Sequence, residues 1–310
     1  MGLLETGLAR VPEPAQALDV VMADRAVIRL RRYGNLDAPV RLVLSHGNGL
    51  AIDGYYPFWA RLCDRHELVV FDFRNHGRNP PHGPQGHDWP TFLKDLEQVW
   101  QAMQEWLGRK VTVGVFHSLS AITALEHALR GRRWDALVVY DPPIFPRAGH
   151  PLQSAQRANM AELAARSRAR RERYRNPEEL ARLLAGRAEF RRWEQQAYQL
   201  MARATLRPSD NGAGWMLACP RELEAQIFES NVDPTLWPRL AGISVPLRIV
   251  GSDPQCKESH PAASICRAVC DELGIDYTMI PDTTHFLQVE RPSECVAALE
   301  SFLEKHRLLG

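Results

Sequence analysis

Between residues 18 and 33, as in VVMADRAVIRLRRYG, apolar and charged positions alternate imperfectly, with the period of half-buried strands. Two short antiparallel strands joined near Ala23-Asp24 are expected there. Farther on the pattern changes to short, mostly apolar runs at 40–45, 67–71, 111–116, 134–140 and 245–250, each closed by a polar or glycine-containing turn. Such runs suit strands buried on both faces. Helical spacing fills the gaps: an aromatic-rich stretch at 55–62, then 92–107 with Leu93, Leu96, Val99, Met103 and Trp106 on one side. An Ala/Leu-rich segment ends at Gly131, a helix is expected at 261–273, a short strand at 275–280 and a last helix at 293–306.

Strands alternating with helices imply an α/β fold with a mostly parallel sheet and helices on both faces. The rhythm breaks after Phe145. From 154 to 207 the chain is helical and rich in arginine, punctuated by Asn176-Pro177 and by the turn residues at 208–212, and a further helix is expected to begin near 220. The organisation expected is one α/β core, residues 1–145 and 239–310, interrupted by a helical insertion at 146–238. The arginines Arg166, Arg168, Arg170, Arg171, Arg173 and Arg175 are interspersed with Glu162, Glu172, Glu178, Glu179, Glu189 and Glu194. Mixed signs at this density read as an exposed helix face laced by i,i+4 pairs, the alternative being that some of the arginines attract an anionic substrate to the mouth of the site.

Composition narrows the function classes. With 38 basic and 37 acidic residues the net charge is +1, which excludes a global nucleic-acid footprint. No run approaches the roughly 20 apolar residues of a membrane span. The N-terminal MGLLETGLARVPEP lacks a basic start followed by an apolar stretch, so no secretory signal is expected; Gly2 and Thr6 meet the short myristoylation pattern, which recurs by chance. The six cysteines are scattered without a CxxC pair, as suits free thiols in a reduced, cytoplasmic protein. No metal site is visible and the chemistry below needs no cofactor.

That chemistry centres on Val111-Thr-Val-Gly-Val-Phe-His-Ser-Leu-Ser-Ala, where a buried strand gives way to a helix at Ser118. A serine held on such a turn has its hydroxyl pushed out of the sheet, and the helix N-terminus behind it favours developing negative charge. A serine hydroxyl is a weak nucleophile and needs a base, itself oriented by a third group. His285, in PDTTHFLQVERP after the last strand, is the candidate base. Asp253, in GSDP, is the favoured orienting acid, with Asp141 at the end of the preceding core strand as the alternative. Donors for the oxyanion are expected from the amide of Leu119 and from the HGNG loop, assigned to Asn48 with Gly49 close behind.

Taken in order, HGNG, DFRNHGRN, FHSLSA, GSDP and TTHFLQVERP resemble the α/β-hydrolase superfamily. The resemblance covers roughly residues 18–145 and 239–308 and implies the α/β-hydrolase fold, with the insertion where the family carries its caps. It also implies the order nucleophile, acid, base for Ser118, Asp253 and His285. Phe116 and Ser120 stand where the family has glycines, and Thr284 where many members have glycine before the histidine. The resemblance assigns Asp72, Arg74, His76 and Gly77 to a structural turn, and His117 to packing beneath the elbow. With serine rather than a carboxylate at the elbow, acyl transfer is expected in place of epoxide opening or halide displacement. The expected activity is hydrolysis of a carboxylic ester or related small-molecule acyl substrate. Carbon–carbon hydrolysis of a diketone-like compound and a non-catalytic binding protein are the alternatives. Trp193, Tyr198, Leu200, Met201, Trp215 and Phe228 are candidates to line the pocket under the insertion, the alternative for most of them being the insertion's own core.

Overall fold

The computed structural model describes residues 10–209 and 212–308; Gly2 and Thr6 lie outside the described residues. Two antiparallel strands, β1 (Gln16–Val21) and β2 (Val27–Gly34), open the chain as the alternation requires. β3 (Val40–Ser45) and β4 (Glu67–Phe71) follow, joined by short helical turns that include α1 (Tyr56–Trp59). The stretch expected as one helix at 55–62 is therefore three short turns, with Pro57, which has no amide N–H to donate, in the middle one. Next come α2 (Trp89–Leu107), started by the Asp88 carboxylate accepting from the Thr91 amide, and β5 (Val111–His117). α3 (Leu119–Leu129) and β6 (Ala136–Tyr140) complete the first half.

The inserted segment then runs through α4 (Gln153–Arg168), β7 (Arg173–Tyr174), α5 (Pro177–Ala185), α6 (Gln195–Ala204), β8 (Leu206–Pro208), β9 (Trp215–Leu217), α7 (Arg221–Ser230) and α8 (Leu236–Arg239). The chain returns to the sheet with β10 (Leu247–Gly251), α9 (Pro261–Leu273), β11 (Asp276–Met279), α10 (Leu287–Glu290) and α11 (Pro292–Lys305). The main sheet has the order β1-β2-β4-β3-β5-β6-β10-β11; β2 runs antiparallel to both its neighbours and the other pairings are parallel.

The mostly apolar runs are explained by this topology. Every residue of β3, β4, β6 and β10 is buried, because helices cover both faces. Successive residues alternate between two cores: Leu42, Leu44, Val113, Val115 and Val138 face one, and Val43, Phe116, Leu137 and Val139 face the other. Charges inside this sheet are paired: Arg41 lies against Glu67, and Arg31 reaches Asp53 and Asp72. The turn after β4 is structural, as the resemblance implied. Arg74 forks onto Asp95 at 2.6 and 2.7 Å, and the Asp72 carboxylate receives the Ile52 amide.

In the insertion, α4 packs along α7 and α5 along α6. A small sheet of order β7-β9-β8 joins them, made of strands too short to carry a readable period. Arg166, Arg168, Arg170 and Arg171 are paired, but across elements and not at i,i+4: Arg168 holds Glu222 and Glu229 of α7, Arg166 holds Glu189, Arg170 holds Glu224 and Arg171 holds Glu179. Among the described residues no helix is long and apolar enough to cross a membrane.

Candidate active site

The turn from β5 to α3 is built around Ser118, which adopts φ 54° and ψ −113°. For a residue with a side chain this is a strained conformation, costing on the order of 1–3 kcal/mol, and it persists where the surroundings over-determine it. They do so here. The Ser118 amide donates to the Tyr140 carbonyl at 3.1 Å, and the Ser120 amide to His46 at 3.3 Å. Ser120 Oγ accepts from the His117 amide and donates to the His117 carbonyl, at 2.9 and 2.8 Å, so its hydroxyl closes the turn from inside. Phe116 is accommodated by the strand itself. Its side chain points away from the elbow into the other core, edge-on to Trp134 at 5.4 Å, over the space that Gly114 leaves open.

His285 joins this serine to an acid. Its Nε2 lies 2.9 Å from Ser118 Oγ and its Nδ1 lies 2.7 Å from Asp141 Oδ2. A carboxylate only accepts, so Nδ1 carries the proton and Nε2 is left as the acceptor for the serine hydroxyl. Asp141 is fully buried, and its other oxygen takes both the amide and the hydroxyl of Ser252 at 3.0 Å. Burial alone would raise its pKa; the His285 hydrogen bond and charge and the Ser252 amide outweigh that and hold it below the ordinary carboxylate range.

The acid on His285 is thus Asp141, and the expectation for Asp253 is corrected. Asp253 is occupied with its own loop, where Oδ1 accepts from the Gln255 amide at 2.9 Å and Oδ2 from the Asp282 amide at 3.1 Å. It ties the loop after β10 to the loop that carries His285. Asp141 gains its place because β6 is the neighbour of the elbow strand, so the first residue past its end emerges beside Ser118. Glu290 was missed although it lies in the same short motif as the histidine. Its carboxylate accepts from the Thr284 amide and hydroxyl, both at 2.6 Å, which clamps the residue preceding His285 and gives a threonine there a use.

The HGNG loop faces the elbow from the other side. A Cβ on Gly47 would stand 3.1 Å from Ser118 Cβ and 3.1 Å from His117 Nδ1, so glycine permits the close approach. The Gly47 amide donates to the Tyr55 hydroxyl at 3.2 Å, and the Gly49 amide to His76 Nε2 at 3.2 Å. The Leu50 amide turns back to the Gly47 carbonyl at 3.1 Å. Among the described residues, the amide of this loop without such a partner is that of Asn48, and in the elbow it is that of Leu119, the first residue of its helix. Leu119 directly follows Ser118, and Asn48 borders the same cavity as Ser118. The Asn48 side chain is tied to the insertion instead, its Nδ2 donating to the Glu224 carbonyl at 2.8 Å.

His117 does more than pack beneath the elbow. The Tyr55 hydroxyl lies 2.7 Å from His117 Nδ1, and His117 Nε2 lies 2.8 Å from the His285 carbonyl. Since that carbonyl can only accept, the proton sits on Nε2 and Nδ1 accepts from tyrosine. One directed chain runs from the Gly47 amide through Tyr55 and His117 to the backbone of His285. Burial, then the nearby His285, pushes the pKa of His117 down to about 3, which keeps this tautomer neutral.

A cavity of about 520 Å³ opens above these groups. Its floor holds Gly47, Asn48, Ser118 and His285, and its walls come from α4, α5 and α7 of the insertion with Phe190, Trp193, Met201 and Phe286. Of the lining residues expected from sequence, Trp193, Met201 and Phe228 border it; Tyr198 stacks behind Trp193 at 5.8 Å, and Leu200 is buried in the insertion. Trp215 lies in the small sheet and is not part of the wall. Arg170 and Glu224 form an ion pair on the wall, the glutamate carboxylate lying directly over Gly49.

Residues 42–298 match the family model of the alpha/beta hydrolase family, and the chain belongs to that family. Solved structures share the fold. E-2-(acetamidomethylene)succinate hydrolase superimposes with a TM-score of 0.74 at 20% identity, over 93% of this chain and 99% of that one. The thioesterase domain from the curacin biosynthetic pathway gives 0.71 at 16% identity, over 92% and 99%. A thermophilic esterase from Thermogutta terrifontis gives 0.67 at 19% identity, over 94% and 99%. A search of curated proteins finds no match to this sequence.

Proposed function

We propose that the protein is a serine hydrolase acting on a carboxylic ester or related acyl substrate through Ser118, His285 and Asp141. The observation that carries this reading is the unbroken hydrogen-bond line from Asp141 through His285 to Ser118 at the floor of a cavity whose wall mixes apolar and charged side chains. His285 Nε2 takes the Ser118 proton as Oγ attacks the carbonyl carbon, and the buried Asp141 carboxylate stabilises the imidazolium that forms. The oxyanion is received by the amides of Asn48 and Leu119; one such donor is worth about 10²–10³ in kcat. His285 then passes its proton to the leaving group, the acyl-enzyme remains on Ser118, and water activated by the same imidazole releases the acid.

The insertion acts as a cap that roofs the site and selects the acyl group. Two of the similar structures are named as an esterase and a thioesterase, which supports acyl transfer. The six free cysteines suit a reducing, cytoplasmic setting. The test is a panel of esters graded in acyl length, assayed with wild type and Ser118→Ala. Turnover lost in the variant supports the reading; full activity of Ser118→Ala on a cleaved ester overturns it.

A further inference from the structure

A second imidazole, outside the triad, stands at the cavity wall. His260 precedes α9 at the position where a capping residue is usual, yet its side chain makes no cap. The ring turns instead toward the site, its centroid 5.4 Å from that of His285 and inclined to it by 31°. Asn159 of α4 comes down from the insertion and places Nδ2 3.1 Å from His260 Nδ1. His260, Asn159, His285 and Ser118 all border the same cavity.

The tautomer follows from the partner. With Nδ1 accepting the Asn159 N–H, the ring proton sits on Nε2, which has no hydrogen-bond partner among the described residues. Burial, then the neighbouring His285, holds the pKa of His260 down at about 4, so the ring stays neutral while His285 passes through its charged form. A neutral N–H donor beside the general acid has a defined position relative to substrate. The leaving atom must lie within hydrogen-bond reach of His285 Nε2 to receive its proton, whereas the oxyanion lies toward Asn48 and Leu119. The wall adjoining His285 therefore meets the leaving group, and His260 is on it.

We infer that His260, set by Asn159, is a specificity-determining residue that donates a hydrogen bond to the leaving group. The substrates it favours are esters whose alcohol part carries an oxygen acceptor, such as an ether, hydroxyl or carbonyl, a few bonds from the scissile oxygen. This inference rests on the acyl-transfer reading above.

The test uses two nearly isosteric substrates, n-butyl butanoate and 2-methoxyethyl butanoate, which differ by one CH₂-to-O exchange in the alcohol. Their difference in intrinsic reactivity is common to every variant and cancels when ratios of kcat/KM are compared. A net hydrogen bond of this kind corresponds to about threefold to tenfold. The preference for the methoxyethyl ester should fall by that factor in His260→Leu, mainly through the methoxyethyl substrate, and be partly restored in His260→Gln, which keeps an N–H. Asn159→Leu should weaken the preference in the same direction. A ratio unchanged in His260→Leu, including the case where both esters slow equally, overturns the inference and leaves the hydrolase reading intact. Failure of wild type to turn over either ester while Ser118 stays unreactive toward a fluorophosphonate would overturn both.

Discussion

Replacing Asp141 by asparagine separates the two candidate acids most sharply. Asp141 Oδ1 already takes two donors from Ser252, its amide and its hydroxyl, both at 3.0 Å. In Asp141→Asn the side-chain oxygen stays with that pair, so the amide NH₂ is turned toward His285 Nδ1. Two donors then face each other, and the imidazole escapes by moving its proton to Nε2, the nitrogen that must accept from Ser118. The fold is little disturbed, but the base is in the wrong tautomer, at a cost of about 10³–10⁴ in kcat, or roughly 4–5.5 kcal/mol of transition-state stabilisation. Asp253→Asn has no such effect. One of its two amide bonds, to Gln255 or Asp282, survives on the remaining oxygen. Loss of the other is worth about 1 kcal/mol of stability and a few-fold in activity. Steady-state hydrolysis of a reactive ester, with thermal unfolding as the control for folding, distinguishes the two. An inactive Asp253→Asn beside a nearly wild-type Asp141→Asn would refute the reasoning.

Three further outcomes are expected. Tyr55→Phe leaves the Gly47 amide and His117 Nδ1 without their partner, and should lower kcat/KM about tenfold with about 1–3 kcal/mol of lost stability, measured by kinetics and urea unfolding. Phe116→Ala empties a fully buried ring site between Gly114 and Trp134 and should cost about 3–5 kcal/mol in the same unfolding assay, marking Phe116 as a packing residue. Acid should destabilise the fold in two stages. His117 and His260 have depressed folded pKa values, about 3 and about 4, so the unfolded chain binds more protons and stability falls as pH drops below about 6.5 toward those values. The depressed Asp141 adds stability that is present above its unfolded pKa, about 3.9, and lost as pH falls through its folded value. A flat stability profile between pH 7 and 4 would contradict the histidine assignment.

The sheet was legible because buried parallel strands write themselves as mostly apolar runs without alternation, and helices such as α9 and α11 carry a clear period with proline at the start. Ser118 and His285 were legible because each follows a strand in a recognisable turn. The acid was not. Both Asp141 and Asp253 end or closely follow strands, and which one reaches the base depends on strand order, since β6 lies beside β5 while β10 lies one strand farther out. The small sheet of the insertion was invisible because strands of two and three residues cannot show alternation. The pairing of arginines across helices, and the chain through Tyr55 and His117, likewise join residues far apart in sequence.

The central claim is that Ser118 is an activated nucleophile, and it is tested most directly by reaction with a fluorophosphonate probe followed by peptide mass spectrometry. The account predicts a single phosphonyl adduct located on Ser118, formed more slowly by about 10³-fold or more in Asp141→Asn and absent in Ser118→Ala. A native protein that stays unlabelled, or an adduct elsewhere that persists in Ser118→Ala, would contradict it.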